Sequence, residues 1–123
     1  MSVLETRVGT SRLGADVYIV AVSGELDLHS SQDVAAELSE VVDSGARAVI
    51  VDLLGIGFID SAGLGVLVTA AKAMRGRGGE FVLAADDHRI VRLLEITGLQ
   101  RLFDIHPSLM EAVQRVVDRR LRH

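Results

Sequence analysis

Apolar residues recur along this chain with two periods, one of a strand and one of a helix. Residues 17–22 (Val-Tyr-Ile-Val-Ala-Val) are apolar at successive positions and rich in β-branching, the pattern of a strand buried on both faces. Val34, Leu38, Val41 and Val42 then fall at helical spacing, after Ser30 or Ser31 as cap, with Asp33 in the first turn and Gly45 as the stop. Residues 46–54 form the next apolar run, the central strand, and a helix between two such strands predicts a parallel crossover. Gly55 and Gly57 follow and read as a turn leading to Asp60 and Ser61. From there Leu64, Leu67, Val68 and Ala71 mark the core stripe of a second helix, which residues 75–79 (Arg-Gly-Arg-Gly-Gly) end with positive charge and glycine.

Residues 80–85 predict another strand. Asp86 and Asp87 open a third helix, with Ile90, Leu93, Leu94 and Thr97 on one face and Gly98 at its end. Residues 102–105 suggest a short strand, and Ser108 to Glu111, after Pro107, is a capping-box pattern for a last helix carrying Val113, Val116 and Val117. At the beginning, loose alternation predicts an edge strand over residues 3–8 and a turn over 11–16. The expected architecture is a single α/β domain, residues 1–123, in the order β-β-α-β-α-β-α-β-α. It has a four- to five-stranded mixed, mainly parallel sheet with about four helices packed against it.

The second helix carries more than a core stripe. Gly63, Val66, Ala70 and Ala73 make a second line of small or apolar residues where Glu and Lys would ordinarily face water. An interior helical glycine costs up to about 1 kcal/mol, so Gly63 and Gly65 ask for a reason. Either a partner or the domain's own sheet comes close there.

Composition narrows the chemistry. Seventeen acidic residues against thirteen Lys and Arg argue against nucleic acid as the main partner, because phosphate neutralisation needs clustered positive charge. With no Cys there is no disulfide or thiolate metal site. No apolar run reaches membrane-spanning length and no leader pattern opens the chain, so the expectation is a cytoplasmic protein without a membrane partner. One Tyr, three Phe and no Trp leave an aliphatic core.

Enzymatic and cofactor motifs fail on inspection. His29, His88, His106 and His123 lack zinc-ligand spacing and read as solvated. Asp60 stands where the last glycine of a dinucleotide fingerprint belongs, and no Gly-Lys-Ser/Thr is present to cradle a phosphate. Ile59 occupies the first glycine position of a nucleophile elbow around Ser61. Asp27, Asp52, Asp60 and Asp86 read as turn or cap residues rather than metal ligands, and Asp86-Asp87 follows a late strand, unlike the acidic pair of a receiver domain. Arg119, Arg120 and Arg122 read as a solvated basic helix end. No cofactor is expected. What remains is Ser61 beside Asp60 at a helix N-terminus. A hydroxyl there either caps free N–H groups or accepts a phosphoryl group that the helix dipole favours.

Residues 60–67 (Asp-Ser-Ala-Gly-Leu-Gly-Val-Leu) resemble the Asp-Ser-(Ser/Ala)-Gly-Leu-Gly signature of the anti-sigma factor antagonists, small members of the STAS family. Gly-Glu-Leu-Asp at 24–27, Thr-Gly-Leu at 97–99 and Arg-Leu-Phe at 101–103 match the family's other motifs in order, so the resemblance spans about residues 17–117. It implies the STAS fold and a non-enzymatic switch. Unphosphorylated, such a protein binds an anti-sigma factor that is also a serine kinase and frees a sigma factor. Phosphorylation of Ser61 releases it, and a metal-dependent serine phosphatase resets it. The implied partner face comprises Glu25, Asp27, His29, Asp60, Ser61, Gly63, Val66 and Ala70. Ala62 stands where many members have a second serine, leaving Ser61 as the acceptor. The alternative is a constitutive scaffold or accessory subunit of a signalling assembly or transporter.

Overall fold

The structure, a computed structural model, describes residues 6–121. Its elements are β1 (Arg7–Leu13), β2 (Val17–Leu26), α1 (Ser31–Asp43), β3 (Ala48–Ile59), α2 (Ser61–Gly76), β4 (Glu80–Ala84), α3 (His88–Ile96), β5 (Asp104–His106) and α4 (Leu109–Leu121), with a 3₁₀ turn at Leu99–Arg101. The five strands lie in chain order; β1 is antiparallel to β2, and every later pair is parallel. The sheet, helices and their order are those read from the sequence.

Successive parallel strands step in one direction, so right-handed crossovers place α1, α2 and α3 on the same face. Strand alternation supplies that face with Val20, Val22, Val49, Val51, Leu53, Phe81 and Leu83, which pack with Val34, Leu38, Leu67, Met74, Ile90 and Leu94 of the three helices. The opposite face offers Val17, Ala48, Ile50, Val82 and Ala84, covered by Ala112 and Val116 of α4. Ala48 to Val51 of β3 are therefore each buried on one side or the other, which explains the unbroken apolarity of that stretch.

Three local expectations need correction. The edge strand lies at Arg7–Leu13, not over residues 3–8, of which 3–5 fall outside the described residues; the predicted turn at 11–16 shrinks to residues 14–16. Leu13 pairs with Val17, so three residues close the hairpin, and Gly14 takes the left-handed φ of 77° that such a loop needs. β2 does not stop at Gly24, nor β3 at Leu54. Both run on to the paired residues Leu26 and Ile59, with a register shift next to Gly24 at φ 92°. A bulge there absorbs the glycine instead of ending the strand.

The third correction concerns the basic end of α4. Arg119 donates to Glu80 of β4 at 2.6 Å and to Asp104 of β5 at 2.7 Å, and Arg115 also reaches Asp104, at 3.2 Å. The Glu80 hydrogen bond, foremost, holds the Arg119 guanidinium more firmly protonated than usual. Arg119 is thus a strut between helix and sheet edge. The side chains of Arg120 and Arg122 lie outside the described residues.

Candidate functional site

β2 and β3 end side by side, and this juxtaposition builds the site. Leu26 pairs with Ile59, and the Asp60 N–H donates to the Leu26 carbonyl at 3.2 Å. The chain segments around residues 25–30 and 58–63 therefore emerge together at the C-terminal edge of the sheet.

Asp60 organises both. As N-cap of α2 it accepts from the Gly63 N–H at 3.0 Å through one carboxylate oxygen. Its other oxygen accepts from the Leu28 N–H at 3.1 Å. The choice left open at the sequence level, cap by Asp60 or by Ser61, goes to Asp60. Ser61 is the first residue of α2 and is exposed.

The facing loop is fixed by Asp27. One of its carboxylate oxygens accepts from the N–H groups of His29 at 3.0 Å and Ser30 at 3.1 Å, a turn closed by its own side chain. Those bonds, the Ser30 N–H first, hold the Asp27 carboxyl below its ordinary range. Ser30 occupies the N-cap position of α1 but makes no capping bond. Its hydroxyl instead donates to the Glu25 carbonyl at 2.8 Å and accepts from the Asp27 N–H at 3.0 Å. The serine expected to cap is a loop staple.

Of the residues implied by the resemblance, Asp27, His29, Asp60 and Ser61 surround this edge, with His29 and Ser61 exposed. Glu25 is half-buried, opposite Phe58 in the sheet. Gly63 is buried for a reason internal to the domain: a Cβ there would stand 2.5 Å from the Leu26 carbonyl oxygen. Val66 and the buried Ala70 lie further along α2, where they line a groove against α1. Two residues escaped the sequence reading. Leu28 is 71% exposed and Phe58 49% exposed, both flanking the Asp60–Ser61 junction in sequence or in space. An apolar residue beside Asp27 or Ile59 is indistinguishable by pattern from core, so only the fold reveals its exposure.

The four aspartates considered as ligands have separate tasks or places. Asp52 accepts from the Leu54 N–H at 2.9 Å, Asp27 and Asp60 close their turns, and Asp86 is exposed. Among the described residues no His, Asp or Glu group is arranged to hold a metal, and no helix is long and apolar enough to cross a membrane.

This combination of a five-stranded mixed sheet and four helices is the fold of solved anti-sigma factor antagonists. An anti-sigma factor antagonist from Mycobacterium paratuberculosis superposes with a TM-score of 0.85 at 26% identity, over 91% of this chain and 94% of that one. The Bacillus protein SpoIIAA in its phosphorylated form shares the fold at a TM-score of 0.72 and 19% identity, over 89% of this chain and 99% of its own.

The STAS domain family model matches residues 11–112, and the chain belongs to that family. The anti-sigma-B factor antagonist of Staphylococcus aureus is 35% identical over 89 residues, 72% of this chain and 82% of the relative.

Proposed function

We propose that this protein is an anti-sigma factor antagonist switched by phosphorylation of Ser61. It acts as a binding protein and catalyses no reaction itself. In its unphosphorylated form it binds an anti-sigma factor with serine kinase activity and so frees a sigma factor; a metal-dependent serine phosphatase restores it. The observation that carries this reading is the division of labour at α2: Asp60 performs the cap, so the exposed Ser61 hydroxyl is not needed to hold the helix.

The energetics favour a switch in the interface rather than in the fold. A phosphoryl group adds about −1.5 to −2 charge, and at a helix N-terminus the dipole favours it by roughly 0.3–1 kcal/mol. Pressed into an interface beside Asp60, the same charge loses water and meets a carboxylate. A penalty of about 3–5 kcal/mol, typical of an unpaired buried charge, weakens binding by a hundredfold or more on the scale of about 1.4 kcal/mol per decade. In this reading Glu25, Asp27, His29 and Asp60 frame Ser61, Gly63 permits the close packing of α2 on β2, and Val66 and Ala70 extend the face.

Co-expression with each serine-kinase anti-sigma factor of the source genome, followed by intact-mass and phosphosite analysis, tests it. One phosphate on Ser61, absent from Ser61→Ala and accompanied by loss of kinase binding, is expected. No phosphate with any kinase, alongside stable binding to another assembly, would replace the switch with a constitutive scaffold.

A further inference from the structure

Large apolar side chains stand in water on both flanks of the Asp60–Ser61 junction: Leu28 is 71% exposed and Phe58 49%. A single exposed leucine is ordinary on a protein surface. What sets Leu28 apart is how it is held. Its N–H donates to the Asp60 carboxylate at 3.1 Å, and its carbonyl accepts from the Ser31 hydroxyl at 3.1 Å. The turn that carries it is closed by the Asp27 carboxylate, and the Ser31 N–H donates to the Asp27 carbonyl at 2.8 Å. Side chains from both halves of the site thus fix the Leu28 backbone, while its own side chain stays outside the core.

Phe58 is fixed by the sheet. It pairs with Glu25 in the ladder between β2 and β3, and it borders a small cleft with Arg89, Ile90 and Leu93 of α3. The Arg89 charge is taken up by Asp87 at 2.9 Å. Leu28 leads into α1 and Phe58 borders α3, so Ser61, at the head of α2, stands between them. Neither flank has backbone freedom left to lose when a partner arrives. An interface that buries these side chains gains hydrophobic energy at little further ordering cost.

We propose that Leu28 and Phe58 are the apolar anchors by which this edge grips the anti-sigma factor, which offers each an apolar pocket on its own side of Ser61. The inference rests on the antagonist reading and names the partner chemistry which that reading leaves open. The switch itself calls for such contacts. A phosphoryl group meets its full penalty only where the interface strips it of water. Glu25, Asp27, His29 and Asp60, which frame Ser61, are polar and draw water in. Apolar contacts on the two flanks exclude it. The neutral hydroxyl of Ser61 tolerates that dry site, and a phosphate does not.

The test is calorimetric binding of each serine-kinase anti-sigma factor of the source genome to the whole chain and its variants. Leu28→Ala removes a side chain outside the core, so its melting temperature should stay unchanged. We expect it to weaken binding roughly tenfold or more, with a less negative heat-capacity change of binding, the mark of lost apolar burial. Leu28→Met, of similar volume, should keep most of the affinity. Phe58→Ala should weaken binding to a similar degree, and Ser61→Asp reports the switch separately. Binding abolished by Ser61→Asp but unchanged in Leu28→Ala overturns the anchors and leaves the switch intact. Equal loss in Leu28→Ala and Leu28→Met, with the heat-capacity change unaltered, also overturns them. Binding weakened in Leu28→Ala yet untouched by Ser61→Asp upholds the anchors and removes the switch. If no such anti-sigma factor binds the wild-type chain, both fall; self-association reversed by Leu28→Ala would then give the patch to a second copy.

Discussion

The carboxylate of Asp60 holds the backbone N–H of Leu28 at 3.1 Å, tying the start of α2 to a loop thirty-two residues earlier. One side chain thus sets the position of both halves of the candidate site. Asparagine keeps an acceptor for the Gly63 N–H and caps almost as well as aspartate, but its amide group cannot accept from Leu28. Asp60→Asn should therefore leave global stability within about 0.5 kcal/mol, while the Leu28 amide exchanges with solvent measurably faster. Asp60→Ala, which loses cap and tie together, should cost about 1–2 kcal/mol in urea denaturation. Unchanged Leu28 exchange in Asp60→Asn would remove Asp60 from its linking role.

Gly63 and Gly65 should respond to alanine with opposite signs. At Gly63 the new methyl meets the Leu26 carbonyl oxygen at 2.5 Å and the Leu26 side chain at 2.7 Å. α2 must move off β2, at a cost of about 1–3 kcal/mol for overpacking. At Gly65 the methyl enters open space, and the loss of backbone freedom in the unfolded chain stabilises the fold by about 0.4–1 kcal/mol. Denaturation midpoints of the two variants decide the matter. A destabilised Gly65→Ala would mean that the position serves the fold after all.

Leu67 is wholly buried in the middle of α2, within the core beneath α1, α2 and α3. Leu67→Ala should cost about 2–5 kcal/mol, a large share of a domain stability of about 5–15 kcal/mol. A cost under about 1 kcal/mol, outside the range of such truncations, would contradict the packing described for α2.

Asp87 gives the chain a pH signature. The Arg89 guanidinium, followed by the Arg89 backbone N–H, lowers its carboxyl from the ordinary 3.8 to about 2. A carboxylate depressed in the folded state favours that state fully above its ordinary pKa, and the preference is lost as the pH falls through the folded value. The window is thus from 3.8 down to about 2. In an NMR titration the Asp87 carboxyl should still be ionised at pH 3, and Asp87→Asn should flatten the acid limb of stability in this window. A titration midpoint near 4 would overturn the contact with Arg89.

The parts of the molecule read correctly from sequence share one property: their side-chain pattern is set by burial. Val34, Leu38, Val41 and Val42 are buried on α1 at the predicted spacing, and the run from Ala48 to Val51 is apolar because the sheet is covered on both faces. Errors arose where hydrogen bonding or topology decides. β1 is exposed along nearly its whole length, so no alternation marks it. Ser30 looks like a cap, but Asp27 captures its N–H and the hydroxyl turns toward the strand. Gly55 and Gly57 look like a turn, yet the ladder to β2 continues past them to Ile59. Arg119 has no sequence signal for its partners, since Glu80 and Asp104 become neighbours only when β4 and β5 pair. Ser61 and Asp60 stood out as a pair, but which of them capped could be settled only by geometry.

The chain-ordered sheet bears on how the protein is made. Each strand pairs with the one synthesised before it, so no strand waits for a distant partner and loop closures stay short. A nascent chain that has delivered β3 already holds the partner for β2, and the addition of α2 brings Asp60 to Leu28. The edge that carries Asp60 and Ser61 is therefore assembled from the earlier-synthesised part of the domain, while α4, the last of the described elements, seals the opposite face. The Asp60–Leu28 tie and the closing helix thus belong to different moments of synthesis as well as to different parts of one sheet.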